Sequence, residues 1–250
     1  MSAEKSEAIV LHTYNLTESS KIVVLLTPQR GKVRAVAKGV RRTKSKFGSA
    51  LEPMTHVEAQ VHFKEGRDLQ TLSQAETRDA FPAVRSDLTR LGLASIMCEL
   101  AEQFVQENEE STRSFVTLLI ALKTLSGMAK NYGSLLIAYF LRMLDIAGLM
   151  PETERCGRCK GGLHGRAHLD AASGGALCSK CSAGLGEPIS AGSLRMMQRL
   201  GDSEWQMLER IRLPAPSEHE IMNAINVYIA HHTGREMKSA RFLRSLTALK

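Results

Sequence analysis

The first 80 residues carry short apolar, β-branched runs separated by turn residues, a pattern of strands. Glu7–Thr13 and Lys21–Thr27 are such runs, and Pro28-Gln29-Arg30-Gly31 after them offers a tight turn. Gly31–Lys38 continues as a strand, so 21–38 reads as a hairpin. Thr55–Phe63 alternates: Val57, Ala59, Val61 and Phe63 share one face, Glu58, Gln60 and His62 the other. A turn at Glu65-Gly66-Arg67-Asp68 leads into Leu69–Ala75. Five short antiparallel strands in this length fit a small closed barrel such as an OB-fold, with an SH3-like barrel as the rival.

From Phe81 the period becomes helical. Leu88, Leu91, Ala94, Met97, Leu100, Ala101, Phe104 and Val105 form one apolar face; Phe115, Leu118, Leu119, Leu122 and Leu125 form the next. Tyr132–Ala147 is apolar nearly all round, as in a helix at a bundle centre, and Gly148 and Pro151 stop it. Residues 152–188 break the pattern, being rich in glycine and poor in large apolar side chains. Such a segment builds little core of its own, the setting in which a metal substitutes for one. Helical signals resume at Ser190. Ser217 and Glu220 read as a capping box ahead of Ile221, Ile225, Tyr228 and Ile229, and Ser239–Leu249 is a last helix. The expected architecture is α+β: a five-stranded barrel over 1–80, then a helical domain over 81–250 with the glycine-rich element inserted.

That element contains Cys156-x2-Cys159-x18-Cys178-x2-Cys181. Each CxxC makes a knuckle aiming two sulfurs at one centre, and the 18 intervening residues suffice for a hairpin that joins the knuckles. Four thiolates predict one tetrahedral structural zinc with no open position for catalysis. An iron–sulfur cluster has the same donors, and a redox CxxC needs only one of the pairs. His164 and His168 lie between the knuckles as substitute ligands. The fifth cysteine, Cys98, sits in a helical pattern as a small buried hydrophobe.

Charge adds a second candidate. The net charge is +7, and four thiolates with a dication bring it to +5. The run Arg30 to Lys46, RGKVRAVAKGVRRTKSK, holds eight basic residues and no acid. Strand alternation places Lys32, Arg34 and Lys38 opposite Val33, Ala35 and Ala37; Arg41, Arg42, Lys44 and Lys46 follow in a loop. A basic strand leading into a basic loop suits a phosphate backbone. Phe47 and Tyr14 are the few aromatic residues near it, so backbone binding is expected more than base readout. A smaller cluster, His231, His232, Arg235, Lys238, Arg241, Arg244 and Lys250, lies toward the end.

No GxxxxGK[ST], HExxH or GxSxG occurs, and the carboxylates form no evident pair. Binding is therefore expected rather than catalysis. No apolar run exceeds Leu135 to Leu141, and MSAEKSEAIV has no apolar stretch before a small-residue cleavage site, so a cytoplasmic protein without a membrane span is expected.

The stretch AIVLHTYNLTESSKIVVLLTPQRGKVRAVAKGVRRTKSKFGSALEP resembles the opening of the bacterial RecO family of recombination mediators. The resemblance rests on the apolar first strand, Glu18, the Thr27…Gly31 turn, and Ala37-Lys38-Gly39-Val40-Arg41-Arg42 followed by Ser45. The paired CxxC elements and the ending HHTGREMKSARFLRSL extend it over nearly the whole chain. It implies an N-terminal OB-fold, a helical domain with a zinc element, and no enzymatic step. It implies binding to single- and double-stranded DNA and annealing of complementary strands. Work with RecR and the SSB C-terminal tail in loading RecA follows from it, and association with the nucleoid when bound to DNA. The carry-over to Lys38, Arg41 and Arg42 is by matched position; Lys32, Arg34, Lys44 and Lys46 rest on charge and geometry. The alternatives are a zinc-dependent nucleic-acid hydrolase and a protein-binding scaffold built on the zinc element.

Overall fold

The computed structural model describes residues 2–42 and 45–238. The chain divides into two compact units, Met1–Ser126 and Gly127–Lys250. The first unit therefore takes in helices beyond the strands, whereas the family of apolar patterns suggested a break after residue 80.

Five strands build the first unit: β1 (Ser2–Asn15), β2 (Lys21–Thr27), β3 (Gly31–Ala37), β4 (His56–Phe63) and β5 (Gln70–Asp79). Their ladder closes on itself in the order β1-β2-β3-β5-β4. β1 makes this possible by its length. Its first half pairs β4, Ser2 opposite Phe63 through Ile9 opposite His56, and its second half pairs β2. β3 and β5 run parallel over Ala35–Ala37 and Gln70–Leu72; the other pairs are antiparallel. Every second residue points inward, where Ala8, Val10, Val23, Leu25, Val33, Ala35, Val57, Ala59 and Val61 fill the centre. Small and β-branched side chains suit so narrow an interior.

A β-bulge between Val10 and His12 changes the parity of β1. Simple alternation from Ala8 and Val10 would carry His12 and Tyr14 inward. With the bulge at Leu11 they emerge on the outer surface, both exposed.

The β2–β3 turn is held by the segment 106–111. Asn108 N–H donates to Arg30 O, Lys32 N–H to Gln106 O, and Ser111 N–H to Pro28 O. Gly31 lies between with φ +55, and a Cβ there would meet Gln106 O at 2.7 Å and Glu109 O at 2.6 Å. Gly31→Ala should therefore cost about 2–4 kcal/mol, from left-handed strain plus overpacking against backbone. Urea unfolding of the full chain measures it, and a midpoint equal to wild type would show that the turn moves freely.

Helices α1 (Pro82–Arg85), α2 (Leu88–Phe104) and α3 (Thr112–Gly127) complete this unit. Asp87 caps α2 by accepting from Arg90 N–H. The buried face of α2 is Leu93, Ala94, Ile96, Met97, Cys98, Leu100 and Ala101. It includes Ala94, Met97, Leu100 and Ala101 of the expected face and is wider than it, while Leu88, at the first turn, departs from it at 57% exposure. Cys98 is fully buried as expected, and that burial pushes its thiol up to about 12.

In the second unit α4 (Tyr132–Ile146) is buried almost all round, from Ser134 to Leu141 and again at Met143 and Leu144. Gly148, at φ +69, ends it. Then come β6 (Arg166–Asp170), β7 (Gly175–Cys178), α5 (Ser179–Ser182), β8 (Glu187–Ser190), α6 (Ala191–Asp202), a 3₁₀ turn (Trp205–Arg210) and α7 (Ala215–Thr233). The helical region thus contains an antiparallel sheet in the order β7-β6-β8. β6 and β7 are the hairpin the cysteine spacing required. The pairing of β8 with β6 was not legible, because Glu187-Pro188-Ile189-Ser190 offers one apolar side chain. Ala167, Leu169, Ala176, Leu177 and Ile189 of this sheet are buried, so the element does own a small core.

The capping box also needs correction. α7 begins at Ala215 with Pro214 before it, which puts Ser217 inside the first turn. Glu220 instead accepts from Ser190 N–H at 3.0 Å and from Ser193 Oγ–H at 2.7 Å, serving the start of α6. These two donors hold its carboxylate below the usual range. The expected helix Ser239–Leu249, with Arg241, Arg244 and Lys250, lies outside the described residues. Among the described residues no helix is long and apolar enough to cross a membrane.

Candidate nucleic-acid interface and metal centre

The basic run lies on β3 and on the connection from β3 to β4. Val33, Ala35 and Ala37 are buried, while Arg34 and Lys38 are exposed on the opposite face and Lys32 is half-buried. The described residues of the connection are anchored at both ends. Phe47, Ala50 and Leu51, at 2–4% exposure, plug into the interior of the closed sheet. At its other end Arg41 N–H donates to Ser19 O, and Arg41 Nη1 donates to Thr17 O at 3.0 Å. The basic segment is thus pinned to the β1–β2 turn and to the sheet interior.

The eight basic residues separate by what they touch. Arg30 forms a two-point pair with Glu4 and lies 4.5 Å from the centre of the Phe63 ring. Lys32 Nζ donates to Glu102 O at 2.9 Å, which ties β3 to the end of α2. Arg41 is spent on Thr17. Arg34, Lys38, Arg42 and Lys46 are exposed and have no acidic partner among the described residues. Lys46 Nζ sits 5.3 Å from the centre of the Phe47 ring. Lys44 lies outside the described residues.

Cross-strand register brings two rings to the same face. His12 stands opposite Val24, which stands opposite Arg34; Tyr14, Ile22 and Val36 form the next row. The His12 and Tyr14 rings are 4.3 Å apart, and Tyr14 and Leu16 are each 44% exposed. His12 was missed in the sequence because the bulge that turns it outward has no signature in residue type.

The cysteine centre is assembled from two knuckles. In the first, Lys160 N–H donates to Cys156 O and Cys156 N–H to Gly161 O, with Lys160 at φ +59. Gly157 N–H donates to Ala176 O and fastens this knuckle to β7. The second is the end of β7 and the single turn α5. Arg158 Nη1 donates to Cys181 O at 2.7 Å and links the knuckles. The four Sγ atoms all lie within 4.8 Å of one another, and Cys159 and Cys178 Sγ are 3.9 Å apart. Tetrahedral zinc with bonds of about 2.3 Å requires sulfurs roughly 3.8 Å apart, so the donors fit the ion. The four cysteines are free thiols, and neither His164 nor His168 belongs to the group.

The thiols of the centre are shifted in opposite directions. Burial works to raise Cys156, but N–H groups of Cys159, Cys178 and Arg158 outweigh it and bring the thiol down to about 6. Hydrogen bonds to the sulfurs of Cys178 and Cys159, with burial, push Cys181 up to about 12. Four crowded sulfurs cannot all ionise alone; a dication reverses that and releases their protons.

A closed five-stranded sheet bearing an open row of cations, followed by helices around a four-cysteine element, defines an α+β protein of two parts. Residues 1–81 match the family model described as recombination protein O N terminal, and residues 85–241 match recombination protein O C terminal. The chain belongs to the RecO family. Among similar proteins, the DNA repair protein RecO of Nocardioides sp. (strain ATCC BAA-499 / JS614) is 38% identical over 96% of this chain and 98% of its own. DNA repair protein RecO of Anaeromyxobacter dehalogenans (strain 2CP-1 / ATCC BAA-258) is 34% identical, over 100% of this chain and 99% of its own. That of Symbiobacterium thermophilum is 34% identical over 98% of both. Membership gives the chain a role in DNA repair and recombination.

Proposed function

We propose that this chain is a recombination mediator that binds single- and double-stranded DNA and anneals complementary strands. With RecR it helps load RecA onto single strands coated by SSB, and it performs no catalytic step of its own. In this reading the closed sheet of residues 1–80 is an OB-fold and the main DNA-binding domain. Residues 81–250 form a helical domain with a zinc element at 152–188. The protein works in the cytoplasm and joins the nucleoid when bound to DNA.

One observation carries the reading. Arg34, Lys38, Arg42 and Lys46 are exposed, with no acidic partner among the described residues. Such a row repels itself until phosphates arrive, and phosphate contact is what annealing needs, because backbone binding is indifferent to sequence. Lys32 and Arg41 then act as positioning residues for the row; Lys44 is assigned to DNA binding on its charge in the sequence alone. The exposed His12–Tyr14 pair, two strands from Arg34 on the same face, suits stacking on unpaired bases. Cys156, Cys159, Cys178 and Cys181 hold one structural zinc ion in this reading, supported by the donor set and the sulfur spacing. The relatives' names supply the context of repair.

The test is annealing of two complementary oligonucleotides across a salt series, with and without RecR. The expected result is annealing at low salt that collapses as salt rises, with log K falling by about 0.7 per phosphate contact for each decade of salt. Folded protein that neither binds nor anneals DNA at low salt would falsify the reading.

A further inference from the structure

The second unit carries a basic concavity that the row on β3 does not explain. It measures about 700 Å³ and is lined by Lys130, Asn131, Glu209, Arg210 and Arg212. Two segments that are distant in sequence form it, and three hydrogen bonds lock them together. Ala129 N–H donates to Glu209 Oε1 at 2.8 Å, Asn131 Nδ2 to Glu209 O at 2.6 Å, and Ser134 Oγ to Ile211 O at 2.7 Å. The lone acid in the lining is therefore already engaged by backbone.

The cations are presented by simple alternation. Ile211 and Leu213 are buried at 7% each, and Ile211 has extended backbone, so Arg210 and Arg212 both point to solvent. Two residues of extended chain separate them by roughly 6.6 Å. Lys130 is exposed across the concavity, and none of the three has an ion-pair partner among the described residues. The lining sums to three positive charges and one negative. The helix start nearby adds little, since Glu218 already lies against Gly133 at the beginning of α4.

We propose that Lys130, Arg210 and Arg212 form a second phosphate-binding site, which takes the sugar–phosphate backbone of a nucleic acid strand independently of the row on β3. Two features favour phosphodiester over an acidic peptide. The lining has no apolar side chain to seat a hydrophobic residue. Two arginine forks with a lysine match tetrahedral oxyanions. The proposal rests on the reading above that the chain handles DNA. It adds that one molecule holds two strands, one at each unit.

The test uses the full chain with Lys130, Arg210 and Arg212 all changed to alanine. Among the described residues these exposed side chains bear no hydrogen bond to the scaffold, so circular dichroism should match wild type. Single-strand affinity is followed by fluorescence anisotropy across a potassium chloride series. The expected result is one strand bound per chain instead of two: the weaker binding phase is lost, while the phase that belongs to the row on β3 keeps its affinity and salt slope. In a bridging assay, wild type should tether a labelled strand to an immobilised, non-complementary one, and the variant should not. Two strands still bound per chain, with bridging equal to wild type, overturn the proposal. So does a variant that loses only an acidic test peptide or inorganic phosphate while holding DNA as wild type does. If wild type itself binds no DNA, the earlier reading falls first and this one with it; if wild type binds and the variant is unaffected, only this one falls.

Discussion

Cys156→Ser should abolish the zinc binding proposed for the cluster and unfold residues 152–188. Cys156 is completely buried, and its sulfur accepts the N–H of Cys178 at 3.4 Å, so it stands at the junction of the two knuckles. A structural zinc site contributes an apparent 10–16 kcal/mol, roughly, to the folding of a small domain at neutral pH, and losing one of four ligands removes much of it. The sheet β7-β6-β8 buries only Ala167, Leu169, Ala176, Leu177 and Ile189, too little to replace that. Damage should spread, because β8 and β6 pack on α7 and β8 on α6. Wild type should carry one zinc per chain, and the variant should carry little and be cut by protease within 152–188. A strong chelator on wild type should reproduce the cleavage. Cys98→Ser is the control: it is as buried but outside the group, so its cost is that of one hydroxyl in a core, about 1–3 kcal/mol. Full metal content and wild-type protease resistance in Cys156→Ser would refute the role assigned to the cluster.

The two parts of the site were legible to different depths. The cysteines were readable because metal chemistry fixes both residue type and spacing, and the knuckles came together as the spacing required. Strand β2 was readable as an apolar, β-branched run, and β3 and β4 because Val33, Ala35, Ala37, Val57, Ala59 and Val61 recur at every second position, mostly between polar residues. What failed depended on partners remote in sequence. Leu88 belongs to the helical pattern of α2, yet at the first turn it stays exposed. Glu220 has the spacing of a capping box, yet its carboxylate is drawn to Ser190 and Ser193, some 30 residues away. β8 exists because β6 offers it an edge. The basic run was legible as charge but not as geometry. Only the fold separates Lys32, which reaches a carbonyl of α2, and Arg41, which reaches Thr17, from the four cations that remain open.

That separation makes the second large prediction. Arg34→Glu, Lys38→Glu and Arg42→Glu together should weaken DNA binding on the order of a hundredfold or more near physiological salt. Each lost contact lowers the single-strand salt slope by about 0.7, so the three together lower it by about 2, and the new carboxylates add repulsion. The fold should survive, because all three side chains are exposed and hold no carboxylate or carbonyl in place. Lys32→Glu should behave in the opposite way. Its ammonium is half-buried and donates to Glu102 O, and a carboxylate beside that carbonyl is repelled and left without a donor. The expected cost is roughly 2–3 kcal/mol of stability, with a salt slope reduced by less than one contact. Arg41→Glu falls between, since it breaks the tie to Thr17 and frees the β1–β2 turn on which Leu16 sits. Anisotropy against salt, paired with urea unfolding for each variant, separates the two classes. If Lys32→Glu abolished binding with unchanged stability while the triple reversal bound as wild type, the working surface would be the half-buried edge of β3 near α2 and not the open row.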